Sequence, residues 1–214
     1  MLRFIVNDKG IMGLTLSQIG LIIATGILLS AVFSFLFFND WYKTAELRNI
    51  ANSFSTLVEG MDSRFFENTT VFYFPDKNYR YNVSISTEYI IVESEGNWRN
   101  KLSIKESFLR KPWLRQTGGN WTNGEELHIY LNTTYSCYGD ESDPIKKNHI
   151  SSVKNYLNNL IDTANKSFAL KPFYIDINKP VYIDKVYIFY DNNGDGSWDK
   201  NLDEKQGFLV IYQL

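Results

Sequence analysis

From Ile11 to Phe38 the chain carries no charged residue; the stretch reads IMGLTLSQIGLIIATGILLSAVFSFLFF. About 20 apolar residues are enough for a helix to cross a bilayer. Here every helical face is apolar, which leaves no polar side for a soluble protein to show to water. Beyond it the pattern changes. In TAELRNIANSFSTLVEGMD, apolar residues fall at Leu47, Ile50, Ala51, Phe54, Leu57, Val58 and Met61. That three-and-four spacing is one stripe of an amphipathic helix. No proline interrupts Ile11 through Met61, so the pattern predicts a single helix about 75 Å long at 1.5 Å per residue. Gly20 and Ala24, then Gly26, Ser30 and Ser34, recur every four residues, a spacing that permits close approach between helices.

After the helix the period drops to two. Tyr79, Tyr81, Val83 and Ile85 alternate with Arg80, Asn82, Ser84 and Ser86, which predicts a half-buried strand with Asn82 on its polar side. With TVFYFP before it and EYIIVES after it, this strand reads as a small antiparallel meander, turned at Asp76-Lys77-Asn78 and at Thr87-Glu88. Residues 95–125, broken by Gly96, Pro112, Gly118, Gly119 and Gly124, read as a long excursion or a connection between subdomains. Trp98, Trp113 and Trp121, with Arg99, Arg110 and Arg115, read as rings covering core edges with stacked or solvated arginines; a glycan- or peptide-binding surface is the other reading. ELHIYLNTTY alternates as a strand, and Asp143-Pro144 starts a turn. Ile150, Val153, Leu157, Leu160, Ile161 and Ala164 predict a second amphipathic helix. PFYIDIN, VYIDKVYIFY and GFLVIY follow as strands, the last two so continuously apolar that they belong at a sheet centre.

The 214 residues include 22 basic and 24 acidic side chains, a net charge of -2, so the basic excess of a nucleic-acid binder is missing. One cysteine, Cys137, excludes an internal disulfide framework and a cysteine-rich zinc site. No HExxH, GxSxG or P-loop motif occurs, and Cys137 with His128 or His149 is a poor nucleophile–base pair on sequence grounds; no enzymatic activity is expected.

Arg3 and Lys9 precede the apolar stretch and Lys43 and Arg48 follow it, so flanking charge does not set its orientation. Five Asn-x-Ser/Thr sequons do: Asn68, Asn82, Asn120, Asn132 and Asn165 all follow it and none precedes it. They point to an exported, glycosylated C-terminal part. Trp41 and Tyr42 suit an interfacial aromatic anchor.

Lys9-Gly10 directly before the apolar stretch resembles the class III (prepilin-type) signal peptide of archaeal type IV pilin-like proteins. The resemblance implies cleavage after Gly10 by a prepilin-type peptidase on the cytoplasmic side, with the mature chain starting at Ile11. Gly13, third after that cut, fits the archaellin-like pattern; Thr15 stands where bacterial pilins usually carry Glu, which favours an archaeal relative. Ala51-Asn52, TVFYFP ending at Pro75, YRYNVSIS and EYIIVES are similar to the same family, so the likeness covers roughly the first hundred residues. It implies that residues 11–38 pool with those of other subunits in a filament core while the amphipathic half seats the head.

One further motif carries chemistry. Asp191-Asn192-Asn193-Gly194-Asp195-Gly196-Ser197-Trp198-Asp199 places side-chain oxygens at positions 1, 3, 5 and 9 and a glycine at 6, as in the first three-quarters of a calcium loop. Position 12 is Leu202, so Asp203 or Glu204 would have to close a longer loop. Asp191 to Glu204 contains five acids and one lysine. Structural calcium and a plain Asx- and Gly-rich hairpin turn both fit this spacing.

The expected architecture is therefore α+β. Residues 1–10 form a leader-like segment, 11–38 a transmembrane helix, 39–62 its amphipathic continuation, and 63–214 an extracytoplasmic antiparallel β-rich head with one further helix. The expected partners are membrane lipid, other pilin-like subunits and the peptidase. The competing reading is a membrane-anchored binding or accessory module that does not polymerise.

Overall fold

The computed structural model describes the backbone of residues 8–95, 101–109, 111–115 and 119–214, and the side chains of these except 8–14, 35–37 and 39. It is a mixed α/β protein that divides into two compact units, Met1–Ala45 and Glu46–Leu214. Helix α1 (Asp8–Asp62) supplies the described part of the first unit and enters the second.

The second unit is built on two four-stranded sheets. The larger has the order β1 (Asn68–Phe72), β7 (Val181–Tyr190), β8 (Glu204–Gln213), β5 (Trp113–Arg115), with β5 parallel to β8 and the other pairs antiparallel. The smaller is all antiparallel, in the order β4 (Ser103–Ser107), β3 (Tyr89–Ser94), β2 (Tyr81–Ile85), β6 (Phe173–Ile175). Helices α2 (Gly124–Tyr135) and α3 (Ile150–Leu170) complete it.

The long hairpin β7–β8, in register from Val181 opposite Gln213 to Tyr190 opposite Glu204, separates two cores. Alternate residues point to opposite faces of a strand. Val181, Ile183, Leu209 and Ile211 join Leu47, Ile50, Phe54, Val58 and Met61 of α1 and the apolar face of the smaller sheet. Val186, Ile188, Tyr190, Phe208 and Val210 meet Leu127 and Leu131 of α2 and Val153 and Leu157 of α3. Burial on both faces is why these two strands read as unbroken apolar runs.

Four expectations need correction. ELHIYLNTTY is not a strand but helix α2, so among the described residues the second unit has two helices beyond α1 rather than one. Leu127 and Leu131, four apart, are fully buried, whereas Ile129 between them is 51% exposed. The Asn123 side chain accepts the Glu126 N–H and the Glu126 carboxylate accepts the Thr122 N–H, which caps the helix start. Gly124 is required there: a Cβ would lie 2.6 Å from Val186 Cγ2, so only glycine lets the helix start against β7. Second, β1 leaves the expected meander to pair with β7, and the third meander strand is β4. Residues 73–80, including Pro75, form an irregular connection too long for a tight hairpin. Third, residues 103–115 are no mere excursion, since they give a strand to each sheet. Fourth, Ser84 is not on an exposed face: β2 lies between β3 and β6 and buries it, while Asn82 stays exposed.

Candidate functional site

In the first unit, every residue from Thr15 to Ser34 is helical and exposed, and that segment is long and apolar enough to cross a membrane. Leu21, Ile22, Ile27 and Leu28 are each 65–71% exposed although they are strongly apolar. Two of its hydroxyls are satisfied within the helix: Thr25 donates to the Leu21 carbonyl and Ser30 to the Gly26 carbonyl, each at 2.8 Å. Helical backbone bonding satisfies the main-chain polar groups that hydrocarbon would otherwise leave unpaired. Trp41 and Tyr42 are exposed, and Trp41 packs on Phe38 with ring centroids 5.9 Å apart. Of the expected processing residues, the backbone of Lys9, Gly10, Ile11 and Gly13 falls within α1; their side chains, and residues 1–7 of the leader, lie outside the described residues.

In the second unit the free edge of β7 is the organising feature. β1 covers residues 181–185, after which the edge N–H groups need other acceptors. The segment after α2 supplies two, with Phe189 donating to the Gly139 carbonyl and Asp191 to the Ile145 carbonyl. Glu67, just before β1, supplies the third: its Oε1 accepts the Tyr187 N–H at 2.9 Å. The same oxygen lies 3.2 Å from His128 Nε2, and His128 Nδ1 lies 2.8 Å from the Tyr138 carbonyl. His128, on α2, is 9% exposed. Burial pulls its pKa down, but the Glu67 and Tyr138 oxygens outweigh this and the net shift is upward from 6.5. Burial pushes Glu67 up, yet the His128 and Tyr187 hydrogen bonds bring it below 4.5. Glu67 and Asp140 line two adjoining clefts of about 600 and 570 Å³. The first is walled by Tyr187, Phe189 and Trp198, the second by His128, Asp184 and Lys185.

The acidic loop joins β7 to β8. Asp191, 2% exposed, accepts the Gly194 N–H at 2.6 Å and the Gly196 N–H at 2.9 Å. Gly194 and Gly196 have φ of 84° and 86°, which glycine adopts without strain. Asn193 Oδ1 accepts the Asp195 N–H, and Asp195 accepts the Ser197 N–H and hydroxyl. Those Ser197 bonds hold the Asp195 carboxyl below its usual range. Asp203 takes up N–H groups of Asn192, Asn193 and Asp199. The structure thus brings Asp191, Asn193, Asp195, Ser197, Asp199 and Asp203 into one wrapped loop whose charge is held by backbone donors. Glu204 turns away, to Lys154 at 2.6 Å. Among the described residues no group of three or more His, Cys, Asp or Glu side chains is arranged as a metal cage.

Trp113 and Trp121 are buried in the second core, and Arg115 stacks on Trp121 at 4.1 Å while donating to its carbonyl. Both rings serve packing, whereas Trp98, Arg99 and Arg110 lie outside the described residues. Cys137 is fully buried and donates to the Tyr135 carbonyl at 3.4 Å; burial pushes its thiol pKa up, away from the reactive thiolate.

The sequons are not equivalent. Asn120 lies in irregular, exposed backbone and Asn82 on the exposed side of β2. Asn132 and Asn165 are half-buried within α2 and α3. Asn68 Nδ2 and Thr70 Oγ1 both face Met61 Sδ, at 3.9 and 3.1 Å, so both sequon groups are engaged. In a glycosylating host, glycopeptide mass spectrometry should find Asn120 and Asn82 carrying the sugar and Asn68 bare; full occupancy at Asn68 would contradict this placement.

Comparison with family models, with curated proteins and with solved structures gave no match. The site has to be read from its own chemistry. Glu67 carried no sequence signal, because its partner His128 is 61 positions away.

Proposed function

We propose that the chain is a pilin-like structural subunit of an archaeal type IV filament or a minor pseudopilin, assembled through residues 11–38 after cleavage at Gly10. The observation that carries this reading is the helix α1 itself. Thr15–Ser34 is apolar and exposed on every side, while Leu47, Ala51, Phe54 and Met61 of the same helix are fully buried in the head's core. One half thus demands lipid or other apolar helices, and the other fastens a folded head. The head would lie outside the cell, where its sequons can be used. A plain membrane anchor for an accessory module has the same need for lipid, and processing separates the two. Co-production with an archaeal prepilin-type peptidase should yield a chain beginning at Ile11 by N-terminal sequencing, and Gly10→Val should block it. A wild-type chain that stays intact in the presence of active peptidase would remove the filament reading and leave the anchor.

The same extracytoplasmic placement gives the acidic loop a use. Asp191, Asn193, Asp195, Ser197, Asp199 and Asp203 each keep a side-chain lone pair beyond the loop's hydrogen bonds, and hard oxygen donors of this kind suit a cation such as calcium, which would have to draw them together. Calcium would neutralise the loop's charge and stiffen the β7–β8 turn. Trp198 packs edge-on to Phe189 at 4.9 Å and is a built-in reporter. Titration should change its emission with a Kd of about 0.1–1 mM, the range of extracellular modules. Asp195→Ala should weaken that response at least tenfold. No response to calcium at roughly ten times the upper end of that range would leave the loop a hydrogen-bonded turn.

A further inference from the structure

We propose that His128 and Glu67 form a proton-operated latch that holds the wall between the two clefts of the head. The geometry sets the requirement. Both ring nitrogens of His128 face groups that only accept, the Tyr138 carbonyl at 2.8 Å and Glu67 Oε1 at 3.2 Å. Only the imidazolium has two N–H donors, so both contacts are hydrogen bonds only when the ring is doubly protonated. In the neutral ring one nitrogen becomes an acceptor. The shorter Tyr138 contact keeps the proton, and Nε2 then presents a lone pair to the Glu67 carboxylate. The contact turns repulsive, and Glu67 is released.

Glu67 is placed to transmit that change. Its Oε1 also accepts the Tyr187 N–H, filling a gap on the β7 edge, and its side chain borders both clefts. Release therefore loosens β7 at Tyr187 and opens the 600 Å³ cleft to the 570 Å³ one. Of the charged groups around His128 the acids favour the closed form, and Lys185, paired with Asp62, opposes it. Glu67 and Asp140 act on it directly, and Glu125 of α2 with Asp184 and Lys185 of β7 line the same cleft. Asp140 is itself held by three donations from Ser142 and Asp143, whereas Glu67, once its His128 contact is lost, is left with the Tyr187 N–H bond.

The pH window follows from the two shifts. His128 is raised, so its contribution is complete below 6.5 and is lost as pH rises through its folded value. Glu67 is lowered, so its contribution is complete above 4.5 and is lost as pH falls through its own folded value. The latch is closed from mildly acidic pH up to the raised His128 value and opens on its alkaline side. This inference does not rest on filament assembly.

The test uses the full-length chain in detergent micelles, labelled with 15N-histidine; His149, the other histidine, is the internal reference. At pH 6 both His128 nitrogens should show N–H signatures, and the ring should titrate above 6.5. Hydrogen exchange at Tyr187, corrected for its intrinsic pH dependence, should quicken at least tenfold as His128 loses its proton. In Glu67→Gln, which keeps an acceptor but removes the charge, the His128 titration should fall by about one pH unit or more. A His128 ring with one protonated nitrogen at pH 6, or Tyr187 exchange without a step across the titration, would overturn the latch.

Discussion

Phe54→Ala should cost the head about 3–5 kcal/mol, the range for emptying a buried aromatic site. Phe54 is fully buried where α1 enters the core. Its ring meets Phe72 edge-on at 5.2 Å, stacks on Phe74 at 5.8 Å and lies 6.3 Å from Phe108. Those partners come from β1, from the connection after it and from the residue following β4, so the cavity would undercut parts of both sheets. Such a loss is a large fraction of the 5–15 kcal/mol typical of a whole domain. Leu57→Ala, on the same helix but only half-buried, should cost about 1 kcal/mol. Urea unfolding of the detergent-solubilised chain, followed by near-UV dichroism, compares the two. Equal midpoints would mean that the α1 stripe does not seat the head.

Asp62→Ala should be as damaging, and for an electrostatic reason. Lys185 of β7 is buried, its side chain 3% exposed, and its ammonium donates to Asp62 Oδ1 at 2.7 Å and to the Asp62 carbonyl at 3.0 Å. Removing the carboxylate strands a cation away from water, which costs about 3–5 kcal/mol. The reverse change is milder. Lys185→Met fills the same space with apolar atoms, and Asp62, 18% exposed at its side chain, keeps access to water; about 1–2 kcal/mol is expected. The double variant Asp62→Ala/Lys185→Met should recover most of the loss of Asp62→Ala. The ordering is the prediction, measured by the same unfolding experiment, and a Lys185→Met variant less stable than Asp62→Ala would contradict it.

What could be read from the sequence was what depends on local pattern. The stripe from Leu47 to Met61 and the two-faced burial of β7 and β8 follow from spacing and composition alone. Helix α2 passes for a strand in the sequence because Leu127, Ile129 and Leu131 satisfy a period of two, although Leu127 and Leu131 also satisfy a step of four. The Asn123–Glu126 cap was the deciding signal, and it was in the sequence. The departure of β1 was not: its partner on β7 lies more than a hundred positions away, and nothing local prefers that edge to β2. Strand β4 has Ile104 as its one apolar residue and is held by backbone pairing to β3. The His128–Glu67 contact is equally non-local, and two unremarkable polar residues became a site only once α2 was laid beside β1.

The central claim is that Thr15–Ser34 is covered by lipid or by neighbouring apolar helices while the head stands outside the cell. Cysteine labelling in intact archaeal cells tests it most directly, because the natural Cys137 is fully buried and gives little background. With a membrane-impermeant maleimide, Ser151→Cys on exposed α3 should label rapidly, and Leu28→Cys should stay unlabelled until the assembly is dissolved in detergent. Rapid labelling of Leu28→Cys in intact cells, or labelling of Ser151→Cys only after lysis, would contradict the account.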